Sequence, residues 1–214
     1  MSIAFDGDFQ VYKVAGMGQF NNNGYALVDP SSKECFLVDA PAEIGRLVKE
    51  AEQFDIKAAL ITHTHPDHVA GYQELKQLTK LPVAVHPNDE GKLPGKPEFY
   101  LNHGDVLHIG KIPIRVVFTP GHTAGGLCLV LGGCLISGDT LFPGGPGRTR
   151  NPEAFKQLVR SITTELYKLP DEVLVFPGHG ADTTIGQSKN EYAAFAAKPH
   201  REDLCGDVVW ANAD

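Results

Sequence analysis

Four apolar, strand-like runs of this chain each end in a histidine or an aspartate, and this shared ending constrains the fold more than any other feature. The runs are LITHTH, VFTPGH, LISGD and LVFPGH, at residues 60–65, 117–122, 135–139 and 174–179. Polar side chains that follow separate strands form one site only where those strands end at a common edge. The sequence therefore predicts a fold in which four strand ends converge.

The residues at these strand ends are of the types that bind transition metals. His63 and His65 stand two positions apart, so in extended backbone their side chains point the same way and can share one ion. A turn into a helix at Pro66 would direct Asp67 and His68 to a second ion nearby. Imidazole and carboxylate groups suit zinc and iron. The candidate metal ligands are His63, His65, Asp67, His68, His122, Asp139 and His179.

Two ions held in this way would serve hydrolysis. A divalent ion lowers the pKa of bound water towards neutrality, and a second ion can polarise a carbonyl group, so no protein nucleophile is required. The chain also lacks a GxSxG elbow, a Walker A loop and a GxGxxG turn. The remaining histidines are interpreted as ordinary polar residues: His86, His103, His108 and His200.

The order of predicted elements indicates two packed sheets. Short strands come first, a β-α-β-α passage follows, the middle is again strand-rich, and a helix, a strand and a helix complete the chain. The helices are predicted at residues 42–54, 67–79, 153–169 and 188–198. Strands that adjoin without long crossovers favour an α/β protein of four layers, an αββα sandwich of two mixed β-sheets flanked by helices. We expect one domain over residues 1–214.

Composition narrows the partners and the compartment. The net charge of −7 provides no positive field for nucleic acid, and no apolar run is long enough to span a membrane. The N-terminal residues lack the basic and apolar stretches of a signal peptide, so we expect a cytoplasmic protein. The four cysteines form no CxxC pair, and Cys128 and Cys134, which lie inside strand-like apolar runs, are interpreted as buried reduced thiols.

The motifs THTHPDH, TPGHT, SGDTL and PGH, at residues 62–68, 119–123, 137–141 and 177–179, resemble those of the metallo-β-lactamase superfamily. The resemblance spans nearly the whole chain and implies an αββα sandwich with a metal centre between the sheets. It implies that His63, His65 and His122 hold one ion and that Asp67, His68 and His179 hold the other. Asp139 would bridge the two ions, Asp67 and Asp139 would serve in catalysis, and Asp39 would support the ligands from behind without binding metal.

Within the superfamily, the stretch GDTLFPGGPGRTR at residues 138–150 is most similar to the glyoxalase II group. That resemblance implies two zinc ions and a metal-bound hydroxide that cleaves the thioester of hydroxyacylglutathione. Arg148 and Arg150 are the candidate substrate-binding residues, although the family has a lysine and a tyrosine there. We expect loop 142–150 to wall the substrate cleft. Because only 35 residues follow His179, we expect no separate C-terminal glutathione-binding helical domain.

Two other functions remain open. The tripeptide Gly147-Arg148-Thr149 also resembles the persulfide dioxygenases, which implies a single iron held by His63, His122 and Asp139. A lactonase or another small-ester metallohydrolase would use the same dinuclear site, with zinc or with iron. The expected partner is a small thioester or ester, and the expected state is a monomer or a homodimer. A metal-binding scaffold without activity is the least favoured alternative.

Overall fold

A computed structural model describes residues 2–210 of the chain and contains two large β-sheets. The first has seven strands in the order of the sequence. Its first three pairings are antiparallel and its last three are parallel. The strands are β1 (Ser2–Asp6), β2 (Gln10–Met17), β3 (Asn22–Val28), β4 (Glu34–Val38), β5 (Asp55–Leu60), β6 (Val83–Val85) and β7 (Phe99–Tyr100).

The second sheet has six strands in the order β15-β14-β11-β10-β9-β8, and only β11 and β14 pair in parallel. These strands are β8 (Val106–Ile109), β9 (Ile112–Phe118), β10 (Leu127–Leu131), β11 (Cys134–Gly138), β14 (Leu174–Pro177) and β15 (Thr183–Thr184). Between β11 and β14 a small hairpin joins β12 (Leu141–Phe142) to β13 (Gly145–Pro146). The predicted pair of mixed sheets is therefore confirmed.

The helices are α1 (Ile44–Glu50), α2 (Pro66–Val69), α3 (Tyr72–Leu78), α4 (Pro152–Glu165) and α5 (Ile185–Ala196). Short 3₁₀ turns cover Pro87–Lys92 and Leu166–Lys168. None of the helices among residues 2–210 is long and apolar enough to cross a membrane.

The prediction of a single helix at residues 67–79 is wrong, because the chain breaks at Gly71 into two helices, α2 and α3. The Gly71 N–H donates to the Ala40 carbonyl at 2.8 Å. A Cβ atom at this position would collide with the Pro41 carbonyl oxygen and the Ile44 side chain. The chain therefore turns where it packs against the segment before α1.

Side chains at α4 and α5 provide N-caps: Asn151 accepts from the Ala154 N–H and Thr184 from the Gln187 N–H.

Three apolar clusters give the molecule four layers. Successive residues of a strand point to opposite faces, and in β3 Tyr25 and Leu27 enter the cluster between the sheets while Ala26 and Val28 pack on the other side. That other side is covered by α1, α2 and α3. The outer face of the second sheet is covered by α4 and α5. This arrangement confirms the αββα sandwich.

The two sheets are joined by backbone hydrogen bonds at one edge. The Leu127 N–H donates to the Thr62 carbonyl at 3.0 Å, and the Asn23 N–H donates to the Gly178 carbonyl at 2.7 Å. Both bonds connect the first sheet to the second beside the strand ends that carry the predicted ligands. These strand ends are consequently held against one another.

Candidate metal centre

The seven predicted ligands lie together where β5, β9, β11 and β14 end. Three overlapping groups have ligand atoms within 4.8 Å of one another, and each group is of the size that could hold an ion. The groups are His63, His65 and His122; Asp67, His68 and His179; and His63, His68 and Asp139. The first two correspond to the two ligand sets implied by the family resemblance.

The first group is formed by three histidine rings packed edge to face. The ring centroid of His65 lies 4.9 Å from that of His63 and 4.3 Å from that of His122. The Nε2 atoms of His63 and His122 are buried and have no hydrogen-bond partner among the described residues. A buried nitrogen without a partner is costly in a folded protein, and a metal ion would satisfy both. The residues present therefore fit a metal.

The second group adds carboxylates to the histidines. Asp67 Oδ2 lies 3.2 Å from His179 Nε2 and 3.4 Å from His68 Nε2. Asp139 lies between the two groups, with carboxylate oxygens 3.3 Å from His68 Nε2 and 3.5 Å from the Nε2 atoms of His122 and His179. Asp139 therefore contacts members of both groups.

Hydrogen bonds on the far side of the rings decide which nitrogen can bind a metal. His122 Nδ1 is 2.8 Å from the Arg148 carbonyl oxygen, and His179 Nδ1 is 2.9 Å from the Phe20 carbonyl oxygen. A carbonyl only accepts, so Nδ1 is the donor in both rings and Nε2 is the nitrogen that faces the other candidate ligands. His68 Nδ1 likewise donates to Asp39 Oδ2 at 2.9 Å. Three rings are thus oriented with Nε2 ready to coordinate.

Asp39 supports the ligands from behind and is at the centre of a buried network. Its carboxylate accepts the Thr62 N–H at 2.7 Å and the Thr62 hydroxyl at 2.9 and 3.0 Å. Because that hydroxyl donates to Asp39, it accepts from His63 Nδ1 at 3.2 Å. Asp39 lies directly after β4 with φ of 62°, in the left-handed region that aspartate and asparagine tolerate best. Through His68 and Thr62, this aspartate contacts both halves of the candidate centre.

The histidines of the candidate centre differ in their pKa values. Burial opposes a charge on His179, but the Asp139 and Asp67 carboxylates overcome it and raise the pKa to about 9. Burial likewise works against a charge on His68, yet Asp139 and Asp39 raise its pKa well above the usual value. Burial lowers the pKa of His65 to about 4. The two rings with raised pKa values, His68 and His179, are thus the ones that lie beside the carboxylates.

The carboxyl groups of Asp67 and Asp139 remain ionised because histidines with raised pKa values lie beside them. Burial works against the charge of Asp139, but His68 and His179 hold the pKa of this carboxyl group well below its usual range. Burial also opposes ionisation of Asp67, and the hydrogen bond from His179 and the charge of His68 lower its pKa. Both groups are therefore available as anionic ligands at neutral pH.

Several residues that shape the site were not found from the sequence. Asn22 Nδ2 donates to Asp67 Oδ2 at 2.8 Å, and Asn22 forms a β-bridge with His179. Asn23 donates to the Pro177 carbonyl at 3.0 Å, and the Tyr25 hydroxyl donates to the same oxygen at 2.6 Å. The asparagine-rich segment 18–24 between two strands was the only available signal for these contacts.

Asp89 also shapes the site, although no sequence motif indicated it. It accepts from the Thr64 N–H at 3.0 Å and from the Gly125 N–H at 2.7 Å. It thereby connects the loop of His63 and His65 to the loop that follows His122. Gly178 is required by close approach, because a Cβ atom there would collide with Asp139 Oδ1 and with His68.

A cavity of about 340 Å³ opens beside the candidate centre. Its floor contains His122, Asp139 and His179. Residues 142–148 form one wall, as expected of the loop, and residues 207–209 also line the cavity. Arg148 lines this cavity, with its side chain 73% exposed.

The two arginines predicted to bind substrate lie at different cavities. Arg150 lines a second cavity of about 490 Å³, together with His65 and Lys92. The chain enters α4 directly after Arg150, with Asn151 as the N-cap. The structure therefore places only Arg148 beside the floor formed by the three candidate ligands.

A sandwich of two mixed sheets with a histidine and aspartate cluster at the sheet edge defines a class of metal-dependent hydrolases. Residues 17–179 match the family model of the metallo-beta-lactamase superfamily, and the chain belongs to that superfamily. The recognition made from the sequence motifs is confirmed.

Named relatives of this chain include hydrolases. The hydroxyacylglutathione hydrolase GloC of Haemophilus influenzae is 31% identical over 189 residues, covering 77% of this chain and 88% of its own. The probable polyketide biosynthesis zinc-dependent hydrolase BaeB of Bacillus velezensis is 31% identical, covering 85% and 84%. The chain is accordingly a metallo-hydrolase of this superfamily, similar to the glyoxalase II group.

Solved structures of similar sequence share the fold. That of ETHE1 from Myxococcus xanthus aligns with a TM-score of 0.74 at 27% identity, covering 88% of this chain and 86% of its own. TTHA1623, in a di-iron-bound form, aligns with a TM-score of 0.70 at 30% identity, covering 82% and 96%. The named relatives and structures thus include both a zinc-dependent and a di-iron protein.

Proposed function

We propose that this protein is a dinuclear metallo-hydrolase that cleaves a small thioester or a related ester, as glyoxalase II does. The observation that carries the proposal is the pair of ligand groups with Asp139 between them, on the floor of a cavity large enough for a small molecule. The similarity to a hydroxyacylglutathione hydrolase supports the thioester.

Each ligand group has a defined part in this proposal. His63, His65 and His122 would hold one ion, His68, Asp67 and His179 the other, and Asp139 both. When bound, two such ions lower the pKa of a water molecule towards neutrality and polarise a carbonyl group. Histidine and carboxylate ligands together suit zinc, and they also suit iron.

The protein groups position and activate the reactants. Asp67 and Asp139 stay ionised, so their carboxylates can accept hydrogen bonds from the attacking water and orient it. Asn22 donates to Asp67 Oδ2 and holds this carboxylate in place. The hydroxyl of water ends on the acyl group and its proton on the departing thiol. Arg148, at the cavity mouth, would contact the substrate.

Metal analysis combined with a substrate panel tests the proposal. The purified protein should contain two zinc ions per chain and release free thiol from S-lactoylglutathione or from a simple acyl thioester. His63→Ala should abolish the release, whereas His108→Ala, at an exposed position on β8, should not alter it. Metal bound without turnover of any thioester, ester or lactone would contradict the proposal.

A second candidate is an iron-dependent persulfide dioxygenase. The tripeptide Gly147-Arg148-Thr149 favours it, and the structure brings the implied iron ligands together, with His122 Nε2 3.5 Å from Asp139 Oδ2. The same preparation discriminates the two reactions. One iron per chain, together with oxygen consumption on glutathione persulfide and no thioester cleavage, would favour the dioxygenase.

A further inference from the structure

Beside loop 142–150, the active-site cavity is also lined by residues of the segment 204–210, which we call the strap. Two backbone hydrogen bonds pair it with the cavity loop, because Thr149 and Gly206 exchange N–H groups and carbonyls at 3.1 and 3.0 Å. A third bond runs from the Trp210 N–H to the Gly144 carbonyl at 2.6 Å. The strap is therefore attached on both sides of the residues that face the cavity.

Trp210 anchors the strap in the apolar layer outside the second sheet. Its side chain is 1% exposed and packs against Tyr192 and Phe195 of α5, with ring centroids 4.9 and 6.1 Å away. Burial of an aromatic side chain of this size is a strong local restraint. The three residues between the anchors, Asp207, Val208 and Val209, are consequently presented to the cavity in a fixed arrangement.

The side chains that face the cavity from both walls are mostly apolar. Phe142 and Pro143 lie on the loop side, and Val208 and Val209 lie on the strap side. Val209 is 49% exposed, although it is a large apolar residue. A substrate group without charge would cover this surface favourably.

One ion pair is formed between the two walls. Arg148 Nε lies 3.4 Å from Asp207 Oδ2, and both residues line the cavity. The side chains are 73% and 79% exposed, so the pair contributes little to stability. Its effect on a ligand is different, because Asp207 pairs with the only arginine or lysine side chain that lines this cavity among residues 2–210.

We propose that the strap is the specificity-determining wall of the active site and that Asp207, by neutralising Arg148, makes the cavity favour thioesters whose occupying group is apolar and uncharged. This inference rests on the proposed thioester hydrolysis. The ion pair distinguishes this chain from an enzyme that attracts carboxylate-bearing substrates, because Arg148, which would bind a carboxylate, is already paired with Asp207.

The test compares three thioesters on the metal-loaded enzyme. Butyryl-N-acetylcysteamine is neutral, succinyl-N-acetylcysteamine has a charged acyl half, and butyryl-glutathione has a charged thiol half. Asp207→Asn should raise kcat/KM for one charged thioester relative to the neutral one by about two- to fivefold, mainly through KM, as expected for an exposed pair. The thioester that responds identifies the half that occupies the cavity.

The matched control is Asp203→Asn. Asp203 pairs with Arg201 in the same part of the chain but does not line the cavity, and its substitution should leave the ratios unchanged. Molar salt should remove the effect of Asp207→Asn, because exposed charges are screened. Arg148→Gln in the Asp207→Asn background should restore the wild-type ratio. Neither salt nor the second substitution would reverse a merely structural disturbance.

The outcomes separate the two proposals. An active wild-type enzyme whose charged-to-neutral ratios do not differ between Asp207→Asn and Asp203→Asn overturns the role of the strap and leaves the hydrolase proposal intact. Equal changes for all three thioesters also overturn it. A metal-loaded wild-type enzyme that cleaves none of them overturns the hydrolase proposal, and with it the inference.

Discussion

Replacing Asp39 by asparagine tests whether the site depends on the hydrogen bonds behind the ligands. Asparagine accepts the left-handed backbone at this position, so the substitution changes the chemistry of one carboxylate oxygen and preserves the turn. The new NH₂ group cannot accept the proton of His68 Nδ1. Either that bond is lost, or the ring moves its proton to Nε2 and loses the lone pair that would bind metal.

The expected magnitude follows from the bonds that are lost. A hydrogen bond to a buried charged group is worth about 1.5–3 kcal/mol, and removal of a partner behind a metal ligand typically weakens metal binding by about 10- to 100-fold. We therefore expect the zinc Kd of Asp39→Asn to rise by about 10- to 100-fold. Competition with a chromogenic chelator measures this change.

Asp29 provides the matched control. It is equally buried and accepts hydrogen bonds from Ser31, Ser32 and Lys111, but it follows the opposite end of β3 from Asn22. At a rise of about 3.3 Å per residue, it lies roughly 23 Å from the site along that strand. Asp29→Asn should reduce the melting temperature without changing the zinc Kd. If the two variants have zinc Kd values within a factor of about two, the reasoning about ring orientation is wrong.

Three further predictions follow from the same structure. Gly178→Ala should prevent metal loading in elemental analysis, whereas Gly133→Ala, which has open space around it, should not. In the folded protein a thiol reagent should label Cys205 alone, since the other three cysteines are buried and burial raises their pKa; labelling of two or more would contradict the packing. In excess chelator the melting temperature should be highest near pH 6.5. It should fall below that pH because the folded protein keeps His65 neutral down to a pKa of about 4, whereas the unfolded chain binds a proton there already near pH 6.5. It should fall above that pH because the folded protein holds a proton on His179 up to a pKa of about 9, and this stabilisation is lost as the pH rises towards 9. A melting temperature that rises steadily from pH 6.5 to 9 would contradict this balance.

Local patterns were sufficient to predict the fold class and the candidate ligands. The informative motifs lie within a few residues of each strand end, so they can be read from a single sequence. They are the spacing of His63 and His65 and the glycines before His122, Asp139 and His179. Asn22 could not be found in the same way. It is 45 residues from Asp67 in sequence, and only the pairing of β3, β4 and β5 within the first sheet brings the amide and the carboxylate together.

By itself, the sequence determined which side chains can bind metal and that four strand ends carry them, because residue type and strand periodicity are local properties. The tertiary structure decided which nitrogen of each ring is free. His179 Nδ1, for example, donates to the carbonyl of Phe20, which is 159 residues away. It also decided the shape of the cavity, where residues 207–209 face a loop more than fifty residues earlier. Contacts of this kind depend on how layers pack, and packing is a property of the whole chain rather than of any segment.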